Sequence, residues 1–206
     1  QLAFLNLSRD PDGVLRSQSV LPVQLREPLW GSVVFPPFAA RLAELAAEQS
    51  IEPSRRVFQG RNLPLNQDGG LRLLFPAPGR IPHYSLSQVL AWRQQPGRLK
   101  KEFAGKIVLI GPGTKLFQDL VATPLGEVYG VEAHAATLNC LLTGNWVRQL
   151  APLSGGLLLL GMAGLGALLG LSLTTAVSLL TVGVGEALFF AASRHLFQVN
   201  FLLLPV

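Results

Sequence analysis

The sequence predicts an α/β protein in which a mixed sheet with packed helices is followed by transmembrane α-helices. Three observations support this class. Strand-like and helix-like stretches alternate through residues 1–148. Charged side chains then almost vanish, and Glu186 and Arg194 are the only ones from Gln149 onward. In that part, two apolar stretches of membrane length follow one another. We therefore expect a mixed α/β domain over 1–150 and membrane helices over 151–206.

The two apolar stretches span 153–173 and 174–193, and each has the roughly 20 residues that cross a hydrocarbon core as a helix. They lie too late in the chain, and are too long, for a secretory signal peptide. So few positions are polar that neither helix would have a wet face in a soluble core. A third apolar stretch opens at Phe201, and the chain is expected to be a fragment of a longer, multi-pass membrane protein.

The charge distribution excludes several classes of partner. The formal net charge of +5 lies before the membrane stretches, because Glu186 and Arg194 cancel. The basic residues are scattered, and no nucleic-acid-binding module is recognisable, so nucleic acid is not expected as a partner. The single Cys140 allows no internal disulfide. With only three histidines and no ligand spacing, neither a metal nor a cofactor is predicted.

The elements of the polar part are predicted in chain order. Asp-Pro-Asp-Gly at 10–13 is turn-forming, which predicts a hairpin with strands near 2–7 and 14–20. A helix begun by Pro37 is predicted next, and its buried face comprises Phe38, Leu42 and Leu45 with Ala39 and Ala46.

The middle of the chain adds a strand, a helix and a second strand. LRLLF at 71–75 is strand-like, and Ser85 or Ser87 is expected to cap a short helix ending near Gln94. The unbroken apolar run Ile107 to Ile110 is typical of a central parallel strand covered on both faces.

The last helix of the polar part is expected from Gly130 to Leu142, and Thr143-Gly144-Asn145 would stop it. Spacing places His134 toward the core edge of this helix. The core face is predicted to comprise Val131, Ala135, Leu138 and Leu142.

A strand, a glycine turn and a helix can hold a phosphate, and GPGTKLFQD at 111–119 was tested for that pattern. The GxxxxGK[ST] spacing is absent, and Pro112 removes a backbone donor. The loop 111–126 is instead expected to be a structured loop over the end of the strand. For the sensing role that the family resemblance given below implies, the ligand-sensing candidates on this loop and the following helix are Thr114, Asp119, Thr123, Glu132 and His134.

Acid–base catalysis by Asp119, Glu132 and His134 is the alternative use of the same residues. No serine or cysteine nucleophile motif lies beside them, and Glu132 and His134 are two apart, so they do not share a helix face. A structural His134 that hydrogen-bonds the loop, for example at Asp119, is favoured. Within the membrane stretch, Glu186 is a functional candidate by default, although it could snorkel or pair with Arg194.

In combination, the motifs resemble the CHASE2 domain, an extracytoplasmic sensor module of bacterial transmembrane receptors. The residues that carry the resemblance are DPDGVLR at 10–16, YSLSQVL at 84–90, GKIVLIG at 105–111, Asp119 with ATPLG at 122–126, and YGVEAHAATLNCLLTGNWVR at 129–148. The family's domain usually opens with an earlier strand and helix after a membrane segment, so the N-terminal part of the domain is expected to be missing here.

The resemblance implies a sensor outside the cytoplasmic membrane, three membrane helices and a cytoplasmic output domain, commonly a nucleotide cyclase, a kinase or a diguanylate cyclase. The implied partners are the lipid bilayer and an unidentified small-molecule or other extracytoplasmic stimulus, with no enzyme activity in this chain. Trp146, Arg148 and Pro152 are the candidates for coupling the domain to the membrane helices. Two alternatives stay open: an anchored extracytoplasmic enzyme, and a scaffold that forms a homodimer through its membrane helices.

Overall fold

The computed structural model describes residues 3–27, 31–66, 68–77, 79–113, 119–172 and 174–204. It divides into two compact units, Gln1–Gly144 and Asn145–Val206, called here the first and second units. Helices mix with short strands, and two long apolar helices follow at the C-terminal end, so the predicted fold class is confirmed. The functional boundary at residue 150 stays a prediction.

The first unit contains β1 (Ser17–Ser19), β2 (Val23–Glu27), β3 (Gly31–Phe35), α1 (Phe38–Ala47), β4 (Val57–Phe58), β5 (Arg61–Asn62), β6 (Gly70–Arg72), α2 (Leu86–Ala91), a 3-10 turn (Trp92–Gln94), α3 (Pro96–Phe103), β7 (Leu120–Thr123), β8 (Gly126–Tyr129) and α4 (Gly130–Thr143). The second unit contains β9 (Arg148–Gln149), α5 (Pro152–Ser172), α6 (Thr175–Asn200) and β10 (Leu202–Leu203).

The segment that includes β1 has a hydrogen-bonded neighbour on each side. β1 pairs antiparallel with β6, and the Leu73 amide donates to the Arg16 carbonyl at 2.9 Å. In the opposite direction, the Leu15 amide donates to the Ala122 carbonyl of β7 at 2.8 Å. Leu15 is 0% exposed and packs with Val121 and Ala133. Residues 15–19 therefore occupy the covered position that the sequence pattern predicts for Ile107 to Ile110.

The expectation for Ile107 to Ile110 was wrong. These residues belong to no strand, and Ile107, Val108 and Ile110 are 47%, 50% and 94% exposed. A strand requires backbone hydrogen bonds to a neighbour, and none of the described strands pairs with this run. An apolar, β-branched composition therefore did not suffice to form a central strand.

The predicted hairpin at residues 2–20 was right in its turn and wrong in its pairing. The Gly13 amide donates to the Asp10 carbonyl at 2.8 Å, and the Asp10 amide donates to Val14 at 3.0 Å, as a tight turn requires. β1, however, pairs with β6. Gln18 is joined to Asn6 only by a hydrogen bond from its side-chain amide to the Asn6 carbonyl, at 2.8 Å.

The sequence missed the β7–β8 hairpin. These strands pair antiparallel with Thr123 opposite Gly126. The connection is Thr123-Pro124-Leu125-Gly126, with proline at the second turn position and glycine at the fourth, which is the common pattern of a β-turn. The sequence predicts a loop over 111–126 and no hairpin, because the strands on either side of the turn are only four residues long.

Helices α1 and α4 pack against each other through small residues. Ala39, Ala40 and Ala43 are buried on α1, whereas Leu45 is 49% exposed, contrary to the predicted face. On α4 the buried positions are centred on Ala133, Thr137 and Cys140, and three of the four predicted core residues are only half-buried. Alanines allow the two backbones to approach closely, so side-chain size and not hydrophobicity decides which faces meet.

The ends of the predicted helices agree better. Ser85 caps α2 in a reciprocal arrangement with Gln88, and the 3-10 turn that follows ends at Gln94, as predicted. α4 begins at Gly130 and ends at Thr143, and Gly144 has a φ of 75°, the left-handed conformation that ends many helices.

The second unit is dominated by α5 and α6. By length and composition both could cross a membrane, with mean hydropathies of 1.8 and 1.7 and buried fractions of 6% and 0%. α6 ends at Asn200 and not at Ser193, because Arg194, His195 and Gln198 are polar without interrupting a helix. At the stretch that opens at Phe201, β10 pairs in parallel with β9, and the third membrane helix stays a prediction.

Candidate functional site

The N-terminus of α4 is covered by a carboxylate of the chain itself. The Gly130 amide donates to the Asp119 carbonyl at 2.9 Å. A Cβ atom at position 130 would lie 2.8 Å from Asp119 Oδ2, so only glycine leaves room for this side chain. The carboxylate suits the positive end of the helix dipole. This agrees with the expectation that the preceding loop does not hold a phosphate.

A cavity of about 150 Å³ lies beside the first turn of α4, and we call it the α4 pocket. Its apolar walls are formed by Phe75, Pro76, Ala77, Ile81, Leu125 and Val128. Its polar lining residues are His83, Thr123, Glu127 and Glu132. The pocket therefore combines the end of β6, the β7–β8 turn and α4.

Two ligand-sensing candidates, Thr123 and Glu132, meet in the α4 pocket. His83 Nε2 lies 3.2 Å from Glu132 Oε1, and the Glu132 side chain is 24% exposed. Thr123 is buried; its hydroxyl donates to the Gly126 carbonyl at 2.6 Å and accepts from the Leu125 amide at 3.3 Å. The sequence did not single out His83 or Glu127, because both lie outside any motif and are brought here by the β7–β8 turn and the segment after β6.

His134 lies outside the α4 pocket. Its ring packs edge-on against Phe38 at 5.3 Å between centroids, and the residue is 7% exposed. Burial lowers the pKa of His134 below 6.5, and this outweighs the raising effects of a hydrogen bond to the Leu5 backbone and of the Asp119 charge. The contact with Phe38 places His134 between α4 and α1, and its structural role stays a prediction.

The three residues of the catalytic alternative do not form one constellation. Glu132 pairs with His83 in the α4 pocket, whereas His134 is buried between α4 and α1. Within the described residues, Asp119 and His134 make no hydrogen bond, and His134 Nδ1 has no partner. The remaining candidate, Thr114, lies outside the described residues.

Arg16 explains the chemistry of the DPDGVLR motif. Its guanidinium contacts Asp10 at 2.8 Å and Asp12 at 2.7 Å, so it closes the turn from both sides. The hydrogen bond from Arg16, followed by the one from the Val14 amide, lowers the pKa of Asp12 to about 2. The motif therefore stabilises the turn that precedes the buried Leu15.

The coupling candidates lie in the segment that leads into α5. Trp146 is buried, Arg148 is exposed in β9, and α5 begins at Pro152, a position that suits proline. The Arg148 amide donates to the Phe201 carbonyl at 2.8 Å, and the Leu150 amide donates to Leu203 at 3.2 Å. The residues just before α5 and those just after α6 are thus hydrogen-bonded to each other. The sequence did not predict this pairing.

Glu186 is exposed and lies near the middle of α6, because this helix extends to Asn200. The sequence had placed it toward one end of a shorter helix. No ion pair between Glu186 and Arg194 occurs in the described part of the chain. From the middle of the helix, the Glu186 side chain would have to reach farther to the membrane surface than from a helix end. A functional role for Glu186 therefore stays a prediction.

Metal and thiol chemistry find no site in the residues that the structure describes. No group of three or more His, Cys, Asp or Glu residues there could hold a metal ion. Cys140 is buried, and its environment raises the pKa of the thiol to about 11, which leaves it a poor nucleophile.

The structure defines a class: an α/β domain with a small polar pocket, joined to two helices of membrane length and composition. The family profile of the CHASE2 domain matches residues 1–171. The chain belongs to the CHASE2 domain family, a family of extracytoplasmic sensor domains. Searches among curated proteins and among solved structures each found no match.

Proposed function

We propose that this chain is the input module of a transmembrane signalling receptor. Residues 1–150 lie outside the cytoplasmic membrane, α5 and α6 cross it, and a stimulus is passed to a cytoplasmic output domain beyond this chain. The observation that carries the proposal is the exposure of α5 and α6. Both are apolar and 26 or fewer residues long, and almost none of their surface is buried by protein. Such a surface is stable in lipid and not in water.

The α4 pocket is the proposed site of the stimulus. It brings together two of the ligand-sensing candidates and touches the first turn of α4 through Glu132. The last residue of α4, Thr143, is followed within a few residues by β9 and α5. A ligand that prefers one of two positions of α4 would shift the equilibrium between them, and only that difference in affinity can drive a signal.

The β9–β10 pair gives the membrane helices one shared point of attachment. Because β9 precedes α5 and β10 follows α6, a displacement of β9 would act on both ends of the helix hairpin. Trp146, Arg148 and Pro152 lie on this route, and this is the proposed reason for their coupling role.

The orientation is tested by labelling with a membrane-impermeant maleimide in intact cells. In a Cys140→Ser background, Ser54→Cys in the first unit should be labelled from outside. Thr174→Cys, between α5 and α6, should be labelled only after permeabilisation. Both positions are exposed, so failure to react reports on the side of the membrane. The reverse pattern would rule out an extracytoplasmic sensor.

Coupling is tested by inserting one alanine after Gln149 in the receptor that carries its output domain. The insertion moves Leu150 and α5 one residue away from β9 and disrupts the Leu150–Leu203 hydrogen bond. Output should therefore change while the native Cys140 stays protected from alkylation. As a control, one alanine inserted after Ser54, in a turn of the first unit, should leave output unchanged. Unchanged output from the insertion after Gln149 would count against rigid coupling at β9.

A further inference from the structure

Three of the four polar side chains of the α4 pocket are hydrogen-bond acceptors, and the fourth, His83, lies against Glu132. The Thr123 hydroxyl already donates its proton to Gly126 and accepts from Leu125, so it has one lone pair left to offer. Glu127 and Glu132, when ionised, accept only. His83 is directed at Glu132 through Nε2. A ligand that satisfies this lining must therefore supply donors.

The charge of the lining points the same way. Two carboxylates face the pocket; a neutral His83 leaves two negative charges, and a protonated one leaves one. Among the residues that the structure describes, no lysine or arginine lines the pocket, and Arg80, although it lies between the lining residues Gly79 and Ile81, is not part of the lining. An anionic ligand would meet like charge from this described lining.

The size and walls limit the ligand further. A cavity of about 150 Å³ holds a molecule of about six non-hydrogen atoms, as benzene shows in cavities of that volume. Six of the lining side chains are apolar, so the body of the ligand is apolar too. A bare metal ion does not fit, since the described carboxylates and imidazoles do not form a metal-binding group.

We propose that the α4 pocket binds a small organic ammonium ion, a primary amine with a short apolar body. The ammonium group donates to Glu132, Glu127 and Thr123, and His83 orients the Glu132 carboxylate. The carbon chain lies against Phe75, Ile81 and Val128. This inference rests on the proposed sensory function, since it names the class of stimulus for the same site.

The test uses three probes of matched size: 3-methylbutylamine, 3-methylbutan-1-ol and 3-methylbutanoate. Binding is measured on the full chain in lipid nanodiscs, as the shift in the urea midpoint at which Cys140 becomes open to alkylation. The amine should raise the midpoint in a saturable manner, and the alcohol and the acid should not at equal concentration. Equal shifts for the amine and the alcohol, or no shift with the amine, would overturn the proposal.

Three variants test whether the amine binds in the α4 pocket. Glu132→Gln should weaken amine binding at least tenfold, and Ala77→Leu, which fills the pocket from an exposed position, should abolish it. Glu48→Gln, an exposed carboxylate outside the pocket, should bind like the parent chain. Each apo variant is first checked for protected Cys140. An amine shift that persists in Glu132→Gln and Ala77→Leu would place binding in the lipid or elsewhere and refute the site.

The outcomes separate this proposal from the sensory function. If the insertion after Gln149 alters output but the amine does not bind, the ligand class is wrong and the input module stands. If the amine binds in the pocket but leaves output unchanged in the receptor, the binding site stands and its role as the stimulus site is refuted.

Discussion

The two units of this chain treat leucine differently: the first buries it in a core and the second exposes it on long helices. In the first unit Leu15 and Leu71 are 0% exposed and Leu141 is 1% exposed. In the second unit Leu153, Leu171 and Leu179 are 77%, 89% and 71% exposed. Burial of apolar area stabilises the first unit in water, at roughly 25 cal/mol per Å². The described helices of the second unit bury almost no such area. The same residue type thus distinguishes a unit that buries its leucines from one whose exposed leucines suit a membrane.

The largest expected effect comes from a cavity in the first unit. Leu15→Ala should lower the free energy of unfolding by about 2–5 kcal/mol, because a fully buried side chain is lost between Val121 and Ala133. The measurement is the urea dependence of Cys140 alkylation in the full chain, which has a single, buried thiol. Leu90→Ala, at a 60% exposed position, is the control and should change stability by less than about 0.5 kcal/mol. Similar losses in the two variants would contradict the packing described for Leu15.

The next prediction tests whether the exposed side chains of the second unit face lipid. Leu160 in α5 is 70% exposed and Leu86 in α2 is 72% exposed. Leu160→Arg should oppose membrane insertion of α5 by about 2.5–3.5 kcal/mol, because the charge would lie near the middle of the bilayer. Leu86→Arg should be close to neutral for insertion and for folding. The readout is the inserted fraction of α5 after cell-free translation with membrane vesicles, and unimpaired insertion of Leu160→Arg would remove the basis for treating α5 as a membrane helix.

The sequence was most informative where a local signal is sufficient. Ser85 and Gly144 mark helix ends through their own hydrogen bonding and φ preference, and the membrane stretches follow from composition. It failed where the outcome depends on partners distant in the chain. Ile107 to Ile110 has strand composition without a neighbouring strand, whereas Leu15 to Ser19 is buried because β6 and β7 lie on either side of it.

The candidate site follows the same rule. Thr123 and Glu132 could be named from their place near one loop, but their meeting with His83 and Glu127 depends on the β7–β8 turn. The exclusion of His134 from the pocket depends on the packing of α1 against α4, which no spacing on α4 alone reveals. Local signals therefore predicted two of the four polar lining residues, and tertiary pairing supplied the other two.

The smallest effect is a pH dependence confined to the first unit. Because burial lowers the pKa of His134 in the folded state, the unfolded chain binds the proton more readily. The contribution of His134 to stability should be constant above pH 6.5, the ordinary value, and should fall as the pH drops through 6.5 toward the lower folded pKa. His134→Gln should be less stable than the parent chain at pH 7.5, because it loses the contact with Phe38, and it should lack the fall in stability that His134 causes below pH 6.5. The urea midpoint of Cys140 alkylation, with each pulse run to completion, measures both chains. A parental slope in His134→Gln would mean that another group carries the proton and that His134 is not the buried, neutral imidazole which joins α4 to α1.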